Sequence, residues 1–248
     1  MPETIDDVSK DPLHRAKTYP YPIPHRSYIF RDGRPHWLES NGAVPNLERR
    51  SPVLAVGSNQ SPEQLARKFE GHQWGDIPVL RIVLHGFDSV YSPHVASYGA
   101  IAATLQEAGG VAVSLFVTWL KDEQLARMHE TEIHSANYGF GRLRNLQINA
   151  ELGPSLDSLF IYNSTRGTLC HDGEPIAVAE VAAGGRTWRS MTQMEVQHHV
   201  RDRLAAGSDP DDFIRQSIAD PALRRQRSDT LKLGARPFNP PNFEKIPI

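Results

Sequence analysis

The chain has 248 residues, 39% of them hydrophobic, which is enough to bury a core as one decorated domain or two small ones. Its 27 basic and 29 acidic residues leave a formal charge of -2, which excludes a global pull toward nucleic acid or an anionic membrane. A single cysteine, Cys170, excludes an intramolecular disulfide and is compatible with a reducing compartment.

Met1 to Pro12 is polar and acidic and lacks the apolar core of a secretory signal. No apolar run approaches the ~20 residues of a membrane helix. A soluble, cytoplasmic protein is expected, with a small-molecule substrate, neither nucleic acid nor membrane as partner, and a homodimer left open.

Residues 1–50 read as a proline-rich arm. Tyr19-Pro20-Tyr21-Pro22-Ile23-Pro24 is neither helix nor central strand, because each proline removes a backbone donor and fixes φ. Tyr28, Phe30 and Trp37 argue that the arm is ordered, since disordered linkers are poor in aromatics.

Residues 51–186 read as mostly strand. Val53-Leu54-Ala55-Val56 is a short apolar run that ends at Gly57-Ser58-Asn59. A helix then opens with Ser61 as N-cap, Pro62 at the first position and Gln64 completing a capping box. Strands are expected at Val79–Tyr91, Ala100–Leu105 and Val111–Leu120, then a helix over Lys121–Glu132. Further strands are expected at Phe140–Asn149, Ser158–Tyr162 and Ile176–Val181. From residue 187 the pattern turns helical. Thr192 and Glu195 form a second capping box, Val196, Val200 and Leu204 recur at helical spacing, and Asp209-Pro210 starts another helix. The tail from Arg236 to Pro241 is extended.

Two places invite a chemical reading. A strand ending in Gly57-Ser58-Asn59 and turning at once into a helix leaves backbone N–H groups free to hold an anion or a polarised carbonyl. The plainer reading is an ordinary strand-to-helix turn. Ser58 lacks the flanks of a nucleophile elbow. On the Lys121–Glu132 helix, at about 100° per residue, Glu132 shares the stripe of Leu125 and Met128, whereas Glu130 faces the opposite way. A carboxylate on a buried face, at a helix C-terminus, is expected to have a raised pKa suited to acid/base work. The competing reading ends the helix a turn earlier and leaves Glu132 at the surface or paired with an arginine such as Arg142.

Other candidates are weaker. His129 and His134 are five apart, not four, so they diverge on a helix and form no zincin pair. No metal or organic cofactor is expected. His134 directly follows Glu132 and is a candidate for lining the pocket. Cys170-His171 reads as a loop thiol, and Arg224-Arg225-x-Arg227 as a solvated basic helix face.

Several segments together resemble the γ-glutamylcyclotransferase-like family. That family opens with a strand into Tyr-Gly-Ser-Asn-Leu and a short helix, which Val56-Gly57-Ser58-Asn59-Gln60 resembles. A strand carrying Gly-Phe matches Gly86-Phe87. A Gly-x-x-Ala-Thr-type strand is similar to Gly99–Leu105. A helix ending in Leu-Asp-x-x-Glu, followed by a Tyr, corresponds to Met128–Glu132 and Tyr138. The resemblance covers roughly residues 51–165 and departs at Val56 for tyrosine, Gln60 for leucine and Ile133 for glycine.

It implies an α+β fold built on a small mixed β-barrel, with the arm and the C-terminal helices of residues 187–248 added to it. It also implies a reaction in which Glu132 is general base and then acid. The substrate's own α-amine attacks its γ-carbonyl, releasing 5-oxoproline and an amine. By the resemblance, Val56, Gly57, Ser58, Asn59 and Gln60 line the substrate pocket and Tyr138 orients it. Two alternatives remain: hydrolysis or transfer of another small amide or lactone in the same pocket, or a non-catalytic binding or assembly module.

Overall fold

The computed structural model describes residues 11–40, 42–133 and 136–248. The architecture is mixed α+β around one large sheet. Its axis is a pair of long antiparallel strands, β4 (Ile77–Val95) and β5 (Ile101–Leu120). The sequence suggests three separate strands here, Val79–Tyr91, Ala100–Leu105 and Val111–Leu120. Instead β5 runs unbroken through residues 106–110. Gly86 of β4 stands alone opposite residues 108–111, and both Gly86 (φ 79°) and Gly110 (φ 80°) take left-handed backbone. Only glycine enters that region without a Cβ penalty, so the ladder bulges and bends there instead of ending.

Short strands fill the edges of this pair. β3 (Ser51–Ala55) pairs with β5 over residues 116–120, and β8 (Leu159–Ser164) lies parallel to β3. β6 (Tyr138–Leu143) follows on β8 and β14 (Phe243–Lys245) on β6. On the far edge of β4 lie β1 (Tyr28–Arg31), β7 (Ile148–Ala150) and β11 (Ala177–Val178), and β2 (Arg34–Trp37) pairs with β1. The stretch read as one strand, Phe140–Asn149, is therefore two. β9 (Cys170–His171) and β10 (Glu174–Pro175) form a separate hairpin, while β12 (Ala183–Gly184) and β13 (Ser190–Met191) complete the large sheet.

No ladder closes this sheet into a barrel among the described residues. The sheet does curl back on itself. The end of β8 meets the start of β5 through side chains: the Leu105 N–H donates to Asn163 Oδ1 (2.9 Å) and the Ser164 N–H to Thr104 Oγ1 (3.0 Å).

β3, β5 and β8 bury both faces, which explains their continuous apolar sequence. Leu54, Leu115, Val117 and Ile161 face one core. Val53, Phe116 and Tyr162 face a second, which Leu65 of α2 (Pro62–Lys68) and Met128 of α3 (Asp122–Ile133) cover. Ser61 caps α2 as expected, but its hydroxyl accepts from the Glu63 N–H (3.3 Å) and no capping box forms with Gln64.

The terminal segments share these cores. The arm carries a short helix, α1 (Pro12–Lys17), and the β1–β2 hairpin. Three helices follow the sheet: α4 (Gln193–Ala205), α5 (Pro210–Ala219) and α6 (Pro221–Lys232). α4 starts on the expected Thr192–Glu195 capping box, and Asp209 caps α5. Val196, Val200, Phe213 and Leu231 enter the same core as Leu54 and Leu115.

The arm is fastened at one point in particular. The Tyr19 hydroxyl is buried and accepts the Ala103 N–H at 2.7 Å. A Cβ at Gly57 would stand 2.2 Å from that hydroxyl and 2.9 Å from the Ala103 Cβ, so only glycine leaves room for the contact. Tyr19→Phe leaves a buried N–H without an acceptor and is expected to cost ~1–3 kcal/mol. Gly57→Ala, by overpacking, should cost a similar ~1–3 kcal/mol. Urea titration should record both as lower midpoints at unchanged slope.

Candidate functional site

A cleft of about 700 Å³ opens where the end of β3, the start of β5, α2, α3 and α6 converge. Val56, Gly57, Ser58, Asn59, Glu132 and Tyr138 all line it. Gln60 does not. It is buried in the 3-10 turn Ser58–Gln60, where its Nε2 donates to the Gly57 carbonyl (3.2 Å) and its own carbonyl accepts from the Tyr28 hydroxyl (2.9 Å). Gln60 therefore shapes the loop from behind. His134 lies outside the described residues.

The loop is built to present donors. The backbone amides of Gly57, Ser58 and Asn59 meet no backbone carbonyl among the described residues, because the first turn of the 3-10 helix supplies none. Tyr138 opens β6, and its hydroxyl donates to the Ala103 carbonyl at 2.7 Å, which leaves its lone pairs as acceptors. Burial holds the Tyr138 phenol well above its ordinary pKa, so it stays protonated.

Glu132 lies in the last turn of α3, on the face of buried Met128, while the Glu130 side chain is 66% exposed. Its partner is not Arg142. Oε1 of Glu132 accepts from Asn59 Nδ2 at 2.8 Å and from Lys68 Nζ, which also lies 3.4 Å from Met128 Sδ. The Glu132 side chain is 15% exposed and that of Lys68 only 8%.

This pairing corrects the expected direction of the pKa shift. Burial does push the Glu132 carboxyl up. The Lys68 charge, the Lys68 and Asn59 hydrogen bonds and His94 outweigh it, and the net shift is downward. Glu132 is thus a carboxylate at neutral pH. Lys68 was not legible as a site residue, although its position at the end of the helix that directly follows Gly57-Ser58-Asn59 was the available clue.

His94, in β4, also lines the cleft. Burial and the Arg166 charge push its pKa down to about 3, so the ring is neutral, with Nδ1 2.8 Å from Ser92 Oγ. His129 turns from the site to the Tyr162 hydroxyl, 2.7 Å from its Nδ1. Cys170 is buried in β9, not exposed on a loop, and burial raises its thiol. Arg224 and Arg225 line the cleft, while Arg227 is buried and donates to the Phe213 carbonyl (2.8 Å). The basic run is therefore not a uniformly solvated face. Among the described residues no group of three or more His, Cys, Asp or Glu side chains is arranged to hold a metal ion, and no helix is long and apolar enough to cross a membrane. No family model matches the chain, and no curated protein or solved structure matches it.

The sign of the Glu132 shift gives a direct test. A carboxyl lowered in the folded state adds stability that is full above its unfolded pKa and is lost as pH falls through the lower folded value. Lys68→Met leaves burial opposed only by the Asn59 hydrogen bond and His94, and should raise the same carboxyl. Its contribution then reverses: stability falls as pH climbs past the unfolded pKa. Breaking the pair should cost ~3 kcal/mol at neutral pH. Chemical denaturation of both proteins from pH 3 to pH 7 should show slopes of opposite sign for this term.

Proposed function

We propose that this chain is a γ-glutamylcyclotransferase-like enzyme acting on a small γ-glutamyl compound or related amide, with its curled sheet corresponding to that family's barrel. The observation that carries the reading is the meeting of Glu132 with the Gly57-Ser58-Asn59 loop in one cleft, joined by the 2.8 Å bond from Asn59 Nδ2 to Glu132 Oε1. These two features are separated by more than seventy residues of sequence and were singled out on different grounds, one by turn geometry and one by helical face.

The surroundings suit a substrate amine. Oε2 of Glu132 accepts no hydrogen bond among the described residues, and the Tyr138 oxygen has lone pairs to spare. Acceptors of this kind match an amino group. The Ser58 amide faces the Tyr19 hydroxyl, and the amides of Gly57 and Asn59 match a carboxylate or a polarised carbonyl oxygen. In the proposed reaction the substrate nitrogen attacks its own γ-carbonyl carbon. Glu132, held ionised by Lys68, takes the proton that the nitrogen sheds. The bond from the same carbon to the leaving nitrogen breaks, and Glu132 returns the proton to it. Neutral His94 adds no positive charge to oppose the incoming amine. A cytoplasmic setting belongs to the same proposal.

Glu132→Gln is nearly isosteric and keeps an acceptor for Lys68 and Asn59. It should fold with an unchanged circular dichroism spectrum and lose ~10²–10⁴-fold in rate. The assay is release of 5-oxoproline from γ-glutamyl amines and amino acids. Wild-type turnover in the variant, or no 5-oxoproline from the wild type, would overturn the reading.

A further inference from the structure

The cleft carries a charge pattern that cyclisation of a simple γ-glutamyl amide does not use. Seven arginine and lysine side chains line it against a single carboxylate, Glu132, in a chain whose formal charge is -2. Four of the seven have carboxylate partners. Lys68 pairs with Glu132, Arg67 with Glu63, Arg127 with Glu130 (2.9 Å) and Arg166 with Asp229 (2.8 Å). The other three, Arg15, Arg224 and Arg225, meet no carboxylate among the described residues.

Two of those three are held in place by neutral groups. Arg15 stands 4.2 Å over the Tyr98 ring, with its Nε on the Tyr21 hydroxyl at 3.2 Å. Arg224 donates to the Ser217 carbonyl at 2.7 Å and to the Ile218 carbonyl at 3.2 Å, at the end of α5. Arg225 is exposed and makes no hydrogen bond among the described residues. Gathering like charges around a concave wall is unfavourable unless something neutralises them, and a cleft focuses their field on whatever enters it. Guanidinium forks suit oxyanions that offer two or more oxygens.

We infer that the rim of the cleft formed by Arg15, Arg224 and Arg225 is a subsite for a multiply charged anionic group, a phosphate or clustered carboxylates, on the molecule whose other end reaches Glu132. All three arginines come from α1 and α6, outside the 51–165 segment, so the extensions set the substrate class. The inference rests on the cleft being the reaction site but not on which reaction occurs there.

Calorimetric titration of the full chain with pyrophosphate, citrate and acetate tests it. At least one of the two multiply charged anions should bind about tenfold tighter than acetate, and added salt should weaken it. Pyrophosphate alone marks a phosphoryl source, citrate alone a polycarboxylate, and either supports the subsite. Arg225→Gln should weaken the binding about tenfold, and Arg15→Gln with Arg225→Gln should weaken it further. Lys121→Gln, away from the cleft, should leave it unchanged. If Arg15→Gln impairs folding, Arg225→Gln decides, because that side chain holds nothing in place. Neither anion binding better than acetate, an Arg225→Gln affinity equal to wild type, or an equal loss in Lys121→Gln would overturn the inference. Glu132→Gln should retain the anion binding. Binding without any 5-oxoproline release therefore defeats only the proposed reaction, and release without anion binding defeats only the subsite.

Discussion

The bend shared by β4 and β5 is the constraint from which the rest of the structure follows. Two strands of this length cannot stay flat, because right-handed twist accumulates along them. Gly86 and Gly110 localise the change of course, each at a backbone angle that a side chain would oppose. The bent pair offers edges on both sides, and short strands fill them in turn. The curl then returns the end of β8 to the start of β5, where Thr104 and Asn163 join them through side chains. The cleft sits beside this junction, between the loop after β3 and the opening residues of β5.

Within the cleft, the balance between desolvation and pairing sets the chemistry. A buried carboxylate alone would be driven toward its neutral acid. Lys68 reverses that outcome because an opposite charge in direct contact, screened from solvent, outweighs the burial penalty. The same burial leaves His94 neutral, since its neighbour Arg166 adds to desolvation where Lys68 opposes it. Both pKa values are thus shifted downward: that of Glu132 by Lys68 and its hydrogen bonds against burial, and that of His94 by burial together with Arg166. A carboxylate tied to Lys68 is a weak base in isolation.

The extensions are part of this site, not appendages to it. Tyr19 reaches past Gly57 to the Ala103 amide, so the arm holds the loop that would carry the substrate. Ser228 of α6 accepts the Val95 N–H at 3.1 Å, which fixes that helix against β4 at the mouth of the cleft. The proline-rich stretch suits this task, because restricted backbone loses less entropy when it docks. Arg15 and Arg224 arrive at the rim through these same attachments.

Local pattern alone determined much of this protein. The apolar run into Gly57-Ser58-Asn59, the helix bearing Glu132 on its Met128 face, the Thr192 capping box and the helical C-terminal third are all set by short-range periodicity and capping chemistry. These depend on residues a few positions apart, and such interactions are written directly in the chain. Tertiary structure decided the rest. It merged two expected strands into β5, because two glycines allow a bulge between them. It turned Gln60 inward, because a 3-10 turn directs that side chain back to Gly57. It also brought Lys68 to Glu132 and Arg15 to Arg224 and Arg225 around one cleft. Their pairing reflects distance in space and loss of water, and neither quantity has a signature in the spacing of residues along the chain.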